Sequence, residues 1–171
     1  MMTFIFKIWH EWEPTFIAAF GVTILATAGS VLTPLGSWYR NLRKPSWQPP
    51  DFMFPIAWTS IFILEAASAV IGWHEVHGAA AVLFVGLYIL NGVLNILWSF
   101  LFFRLQRPDF AQMEVPFLWL SIAAPMVMLY IYAGWTWIFL LPYLLWVSFA
   151  AFLNFTIVRL NAPFGQAGSA V

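Results

Sequence analysis

The chain has 171 residues, of which 63% are hydrophobic and 8% charged, and its seven basic residues balance seven acidic ones. A water-facing domain carries roughly 25% charged residues, so a soluble fold is excluded, and zero net charge argues against a nucleic-acid partner. The absence of cysteine excludes disulfides, thiolate metal sites and a cysteine nucleophile.

Residues 1–13 carry Lys7, Glu11 and Glu13 and lack a clean apolar core, so they read as a retained N-terminal tail rather than a cleavable signal. Trp9 and Trp12 would place this tail at the membrane interface. A first span is expected from about Pro14 to Thr33, with proline at the start, where a missing N–H matters least. Its small residues Ala19, Thr23, Ala26, Thr27 and Ser30 share one side and predict a close helix contact, within the bundle or across a dimer. A proline-rich, lid-like loop covers 35–50. The second span is expected over Asp51 to Trp73, the third over Ala79 to Phe103, the fourth over Val115 to Ala133 and the fifth over Thr136 to Leu160. The tail, 162–171, reads as disordered. The apolar runs are long and do not alternate, which favours helices over barrel strands. The fold class is therefore an all-α membrane protein, a five-transmembrane-helix bundle over 14–161.

Lys7 is the only basic residue on the N-terminal side of such a bundle, whereas Arg40, Arg43, Lys44, Arg104, Arg107 and Arg159 share the other. The positive-inside rule then puts the N-terminus outside and the C-terminus in the cytoplasm. There is no convincing internal repeat, and an odd span count argues against an inverted-repeat transporter.

Positions three and four apart share a helix face. Trp58, Phe62 and Glu65 form such a stripe in the second span, Asn91, Asn95, Trp98 and Phe102 in the third, and Trp146, Ala150 and Asn154 in the fifth. Polar groups facing lipid are costly, so these faces point inward. One reading is plain packing, with each Asn hydrogen-bonding between helices. Together, the stripes predict a ligand cavity in which aromatic rings surround a few polar groups. Glu65 is read as the only carboxylate well inside a span, either a neutral acid bonded to a neighbouring helix or a proton relay or cavity-lining acid. His10, His74 and His77 lie near water; His74 and His77 are three apart, but without a further ligand no metal site is expected. No nucleophile triad, phosphate loop or carboxylate pair suggests conventional hydrolysis or phosphoryl transfer.

The stretch W-Y-R-N-L-R-K-P-S-W-Q-P-P-D-F-M-F-P-I-A-W-T-S-I-F, Trp38 to Phe62, resembles the signature of the TspO/MBR family, the tryptophan-rich sensory proteins and translocator protein. L-N-G-V-L-N-I-L-W-S-F-L-F-F resembles that family's third helix, and L-P-Y-L-L-W-V-S-F-A-A-F-L-N-F-T-I-V-R-L-N its last. The resemblance runs from about 14 to 161. It implies a five-helix bundle, usually a homodimer in the lipid bilayer. Its cavity, capped by the first loop, takes porphyrins, haem-related tetrapyrroles or sterols. No resident cofactor is required.

Some bacterial members are reported to promote light-dependent porphyrin breakdown through two cavity tryptophans, which match Trp58 and Trp146. Trp38, Tyr39 and Asn91 match further cavity positions. The departures are Phe62 where many members have Tyr, and Asn91 where many have Gln. The sterol motif of the last helix is matched only by Leu153, Phe155 and Arg159, without the tyrosine hydroxyl, which argues against sterol binding. Glu65 lies outside the family pattern.

On this reading Trp58 and Trp146 stack on a tetrapyrrole ring. Asn91 and Asn95 bond its polar edges. Arg40, Arg43 and Lys44 either pair with propionates or only set topology. Phe62, Trp98 and Ala150 complete the wall. The stripes hold no obvious axial ligand, so metal-free porphyrin should bind at least as well as haem. A tetrapyrrole sensor, with a role in transport or regulation, is the leading reading. The alternatives are a light-driven porphyrin-degrading enzyme and a structural, lipid-organising protein.

Overall fold

A computed structural model describes residues 2–165, with side chains from Trp12 onward. The elements are α1 (Met2–Leu32), a short α2 (Ser37–Asn41), α3 (Met53–Glu75), α4 (Ala79–Ser99), a π turn (Phe100–Arg104), α5 (Pro108–Ala133), a 3-10 segment (Gly134–Leu140) and α6 (Leu141–Asn161). Five of them, at 1.5 Å per residue, are long enough to cross a hydrocarbon core of roughly 30 Å. The apolar stretch Pro108–Asn161 is 54 residues long. Unbroken it would measure about 80 Å, far more than one crossing. It folds back instead after α5, where Gly134 takes a φ of +65° that ends the helix without a Cβ clash. The two halves then lie antiparallel, with Asn154 near the end of α6 reaching the Pro108 carbonyl at the start of α5 (3.2 Å).

The five-helix architecture agrees with the expectation, but three boundaries do not: α6 begins at Leu141 rather than Thr136, after the 3-10 segment, and two others are further off. Pro14 lies inside α1 rather than at its start, because the helix begins at Met2. The fourth span begins at Pro108, not Val115. Pro108 and Asp109 are good helix starters, one lacking an N–H and the other a negative charge in the first turn. Asp109, Gln112 and Glu114 hide this turn from a search for apolar runs. Residues 166–171, most of the segment expected to be disordered, lie outside the described residues, as do the side chains of Trp9 and His10.

α5 is the hub, packed against α4, α6 and, more thinly, α3; α1 lies outside against α3 and α4. Gly72 lets α3 and α4 close, since a Cβ there would run into the buried Phe84 ring. α1 approaches α4 through Leu25 on Gly92. Several of its large apolar residues, among them Phe16, Phe20, Ile24 and Val31, are exposed, as suits a lipid-facing helix.

The basic segments gather at one end. The Arg104 guanidinium donates to the Val31 carbonyl at the end of α1 (2.8 Å). The Arg43 backbone and the Asn161 side chain exchange two hydrogen bonds (both 2.8 Å) at the end of α6.

Candidate ligand cavity

At that end the helices part around a cavity of about 440 Å³. α3 contributes Phe54, Trp58 and Phe62, α4 Trp98, the π turn Phe103, α6 Trp146 and α2 Tyr39. The polar groups on the wall include Asn95, Ser99, Ser30, Thr33 and Thr59, and Asp51 is its only charged residue. The space exists because small side chains oppose these rings: Ala26 and Gly29 on α1, Ala150 and Ala151 on α6. Within the bundle, Ala26 and Ser30 of the α1 small-residue stripe border this space. Thr23 and Thr27 bond back to the carbonyls of Ala19 (2.7 Å) and Thr23 (2.8 Å).

The indoles are held by other rings. Trp58 lies 5.4 Å from Phe62, one turn on, and meets Tyr143 edge-on at 5.8 Å. Trp146 meets Phe54 edge-on and tilts against Phe149, both at 5.7 Å. The π turn swings Phe103 beneath Tyr39, with ring centroids 5.6 Å apart; such turns re-aim side chains that a regular helix would point elsewhere.

The lid is anchored rather than loose. Tyr39 is buried, donates to Asp51 Oδ1 (3.3 Å) and accepts from Gln48 Nε2 (3.2 Å). Burial, and then the Asp51 charge, push its phenol up from 10.0 to about 12. Lys44 Nζ lies 3.5 Å from the centre of the Tyr39 ring. Trp47 stacks on Phe152 of α6 at 5.2 Å.

Trp58, Phe62, Asn95, Trp98, Trp146, Ala150 and Tyr39 thus share one cavity, the first six as their stripes suggested and Tyr39 as the family resemblance implied. Several other candidates do not line it. Trp38 packs edge-on against Phe102, at 6.0 Å. Asn91 lies deeper, where its amide donates to Ser121 Oγ (2.9 Å) and accepts from the Tyr143 hydroxyl (3.2 Å). Asn154 serves the Pro108 carbonyl.

Arg40 donates to the Leu35 carbonyl (2.8 Å), and neither it nor Arg43 or Lys44 is on the cavity wall. Glu65 is buried, but in a separate, smaller void. Leu153 is buried while Phe155 is exposed with Arg159 over its ring (5.7 Å), so the three sterol-motif positions form no common surface. His74 and His77 are both exposed.

Among the polar residues that escaped the sequence reading, three stand out. Tyr143 accepts from Asn95 Nδ2 (2.9 Å) and donates to Asn91, joining the two asparagines. Extending the Trp146 stripe three residues toward the N-terminus would have found it. Ser121 gave no signal of its own. Glu114 is buried in α5 with neither carboxyl oxygen hydrogen-bonded, so Glu65 is not the only intramembrane acid. The late start assigned to the fourth span had left Glu114 in a loop.

Five long apolar helices around an aromatic cavity define an integral, multi-pass membrane protein with a small-molecule-sized internal space. The TspO/MBR family pattern matches residues 16–160, and the chain belongs to that family. It is 38% identical to the tryptophan-rich sensory protein of Cereibacter sphaeroides over 148 residues, 86% of this chain and 89% of that one. It is 40% identical to the tryptophan-rich protein TspO of Chlorobaculum tepidum over 140 residues, 78% and 87% of the two chains. Its identity to the translocator protein of Sus scrofa is 31% over 156 residues, 86% and 92% of the two chains.

Proposed function

We propose that this protein is a membrane receptor that binds a flat aromatic ligand of the tetrapyrrole class between Trp58, Trp98 and Trp146. The observation that carries this reading is the cavity itself: three indoles and four further rings around about 440 Å³, with a few polar groups between them. Such a wall offers ring-stacking surface on several sides and little to hold a small polar solute. Asn95 and Ser99 serve the polar edge of the ligand. Asp51 disfavours an acidic group beside it, so a propionate is directed toward Lys44, whose ammonium lies over the Tyr39 ring. "Sensory" and "translocator" in the relatives' names suit a receptor with a part in regulation or transport.

The wall holds no His, Cys or Met. Tyr39 is its only side chain of a type that ligates haem iron. Asp51 holds the Tyr39 proton, and the raised phenol resists forming the phenolate an iron would need. Metal-free porphyrin therefore binds at least as well as haem.

Protoporphyrin IX and haemin titrated into the purified protein, followed by porphyrin absorbance and tryptophan quenching, test both statements. Saturable binding is expected, weakened about three- to tenfold by Trp58→Phe or Trp146→Phe, in line with roughly 0.5–1.5 kcal/mol for a ring contact. Absence of saturable binding rejects the receptor in favour of a structural, lipid-organising protein, and clearly tighter haemin binding rejects the metal-free preference.

A second reading, light-driven breakdown of the bound porphyrin, draws on one observation: Trp58 and Trp146 border the same space and can each reach an excited ring as electron donors. Product formed on illumination and lost in both Phe variants would make the protein an enzyme. We infer further that it is a homodimer with its N-terminus outside. The gathering of six basic residues at the lid end supports that orientation. Chemical cross-linking and labelling of terminal tags in intact cells test these two points.

A further inference from the structure

Away from the cavity, α3, α4, α5 and α6 close on a second void of about 10 Å³, whose polar wall is Glu65, Tyr88, Asn91, Ser121 and Tyr143. That is room for about one water. Glu65 is 4% exposed, and its Oε2 has no hydrogen-bond partner.

The protons around this void can be assigned one by one, because carbonyl oxygens only accept. Ser68 donates to the Glu65 carbonyl (2.7 Å), so in its 2.7 Å contact with Tyr88 the phenol is the donor. Ser121 donates to the Leu118 carbonyl (2.7 Å), so Asn91 must offer Ser121 an N–H (2.9 Å). This turns Asn91 Oδ1 toward Tyr143, which donates to it (3.2 Å) and can then only accept from Asn95 (2.9 Å). Every hydroxyl proton on the wall is committed elsewhere. Tyr88, Ser121 and Tyr143 have only lone pairs left to offer the void.

An ionised Glu65 would add a negative charge beside three hydroxyls that offer only lone pairs, with the second Asn91 N–H as the one uncommitted donor on the wall. The groups facing it are Ser68 on its own helix, Tyr88 and Asn91 from α4, Ser121 from α5, Leu140 from the 3-10 segment and Tyr143 from α6. Glu114, a second buried acid on α5, lies within electrostatic reach of Tyr143. No Lys, Arg or His lines the void among the described residues. An uncompensated buried charge is strongly disfavoured against the neutral acid.

We propose that this void is a proton site: a neutral Glu65 carboxyl donating to one bound water, which in turn donates to two of the three hydroxyl oxygens. Asn95 links the site to the cavity, because the same side chain lines the cavity wall and bonds Tyr143. A ligand that draws the Asn95 amide toward itself takes a donor from Tyr143 and frees that oxygen for the water. Occupancy of the cavity is thereby felt at Glu65. The identity of that ligand rests on the receptor reading; the proton site and its link do not.

Infrared spectroscopy of the ligand-free protein in lipid at neutral pH tests the proposal, in sodium-containing and sodium-free buffer. Expected is a carboxylic-acid carbonyl band that Glu65→Gln removes and Glu114→Gln leaves in place. Glu65→Asp, which keeps the acid if the Gln variant does not fold, should shift it. Asn95→Leu should shift it too, through Tyr143 alone. A spectrum without a Glu65 acid band overturns the proton site. A band that appears only when sodium is withdrawn also overturns it, showing a metal cation in place of the proton. A band that Asn95→Leu does not move overturns the link. None of these outcomes depends on porphyrin, so a failed titration would reject the receptor reading without touching this one.

Discussion

The two ends of the bundle use the same helices and the same kinds of side chain, yet one encloses about 440 Å³ and the other about 10 Å³. Rings do not make the difference, since both ends are rich in them. At the lid end Trp58, Trp98 and Trp146 face Ala26, Gly29, Ala150 and Ala151, which cannot fill the space between them. At the other end a large ring meets a glycine directly, Phe84 on Gly72, and Ile122 and Leu140 complete the seal. Polar side chains follow the same division. In the closed end donors bridge to neighbouring helices, as Asn91 does to Ser121 and Tyr88 to Ser68. In the open end Asn95 serves Tyr143 and borders the cavity as well. Whether a small residue leaves a cavity in this fold thus depends on whether a ring packs directly onto it, as Phe84 does on Gly72, or leaves open space over it, as at Gly29.

The largest effect that would break or sharpen this comparison comes from removing one ring from each end. Tyr143 is 2% exposed and ties Asn91 to Asn95. Tyr143→Ala should lose roughly 3–5 kcal/mol, the usual range for deleting a large buried side chain that leaves a hole. Trp146 already borders empty space, so less packing is lost with it. Trp146→Ala should lose clearly less stability in the same denaturation experiment, although it removes the bigger ring. Equal losses would mean that the open end is packed as tightly as the closed one.

A smaller effect separates the two asparagines. Asn91→Leu and Asn95→Leu each remove interhelical hydrogen bonds, worth about 1 kcal/mol in a membrane. Their stabilities should therefore fall alike. Protoporphyrin IX affinity should fall severalfold only in the Asn95 variant, because Asn91 has no access to the cavity. A matching loss in the Asn91 variant would place the ligand deeper than the cavity allows.

That pair also shows what a sequence can and cannot disclose. Helical spacing identifies the inward face, and so it found Trp58, Phe62, Asn95, Trp98, Trp146 and Ala150 on the helices that wall the cavity. It also put Asn91 beside Asn95, correctly, on one stripe. The four-residue step between them rises about 6 Å along the axis, however, and that rise is enough to pass from the open end into the closed one. Periodicity reports which way a side chain faces and says nothing of depth. Phe103 and Trp38 were harder for a different reason. A π turn and a short loop helix have no repeating face to read, so one ring enters the cavity and the other misses it without a signal in the spacing. Glu114 was hidden by composition, since three polar residues near the start of α5 look like a loop to any count of apolar residues.

The smallest effect concerns the lid, and it depends on the sign of one titration. In the folded protein the Tyr39 phenol is pushed up to about 12, whereas in the unfolded chain it returns to 10.0. Between those values the unfolded state releases a proton that the folded state keeps, so unfolding becomes easier as pH rises. The contribution of Tyr39 to stability is therefore complete below pH 10 and is lost as pH climbs toward 12. Tyr39→Phe removes this dependence while keeping a ring for Lys44 to sit against. Stability compared from pH 9 to pH 12 should fall more steeply in the wild type than in the variant. Parallel curves would show that burial and Asp51 do not hold the Tyr39 proton. The lid would then offer haem iron a phenolate after all, which removes the ground for preferring metal-free porphyrin.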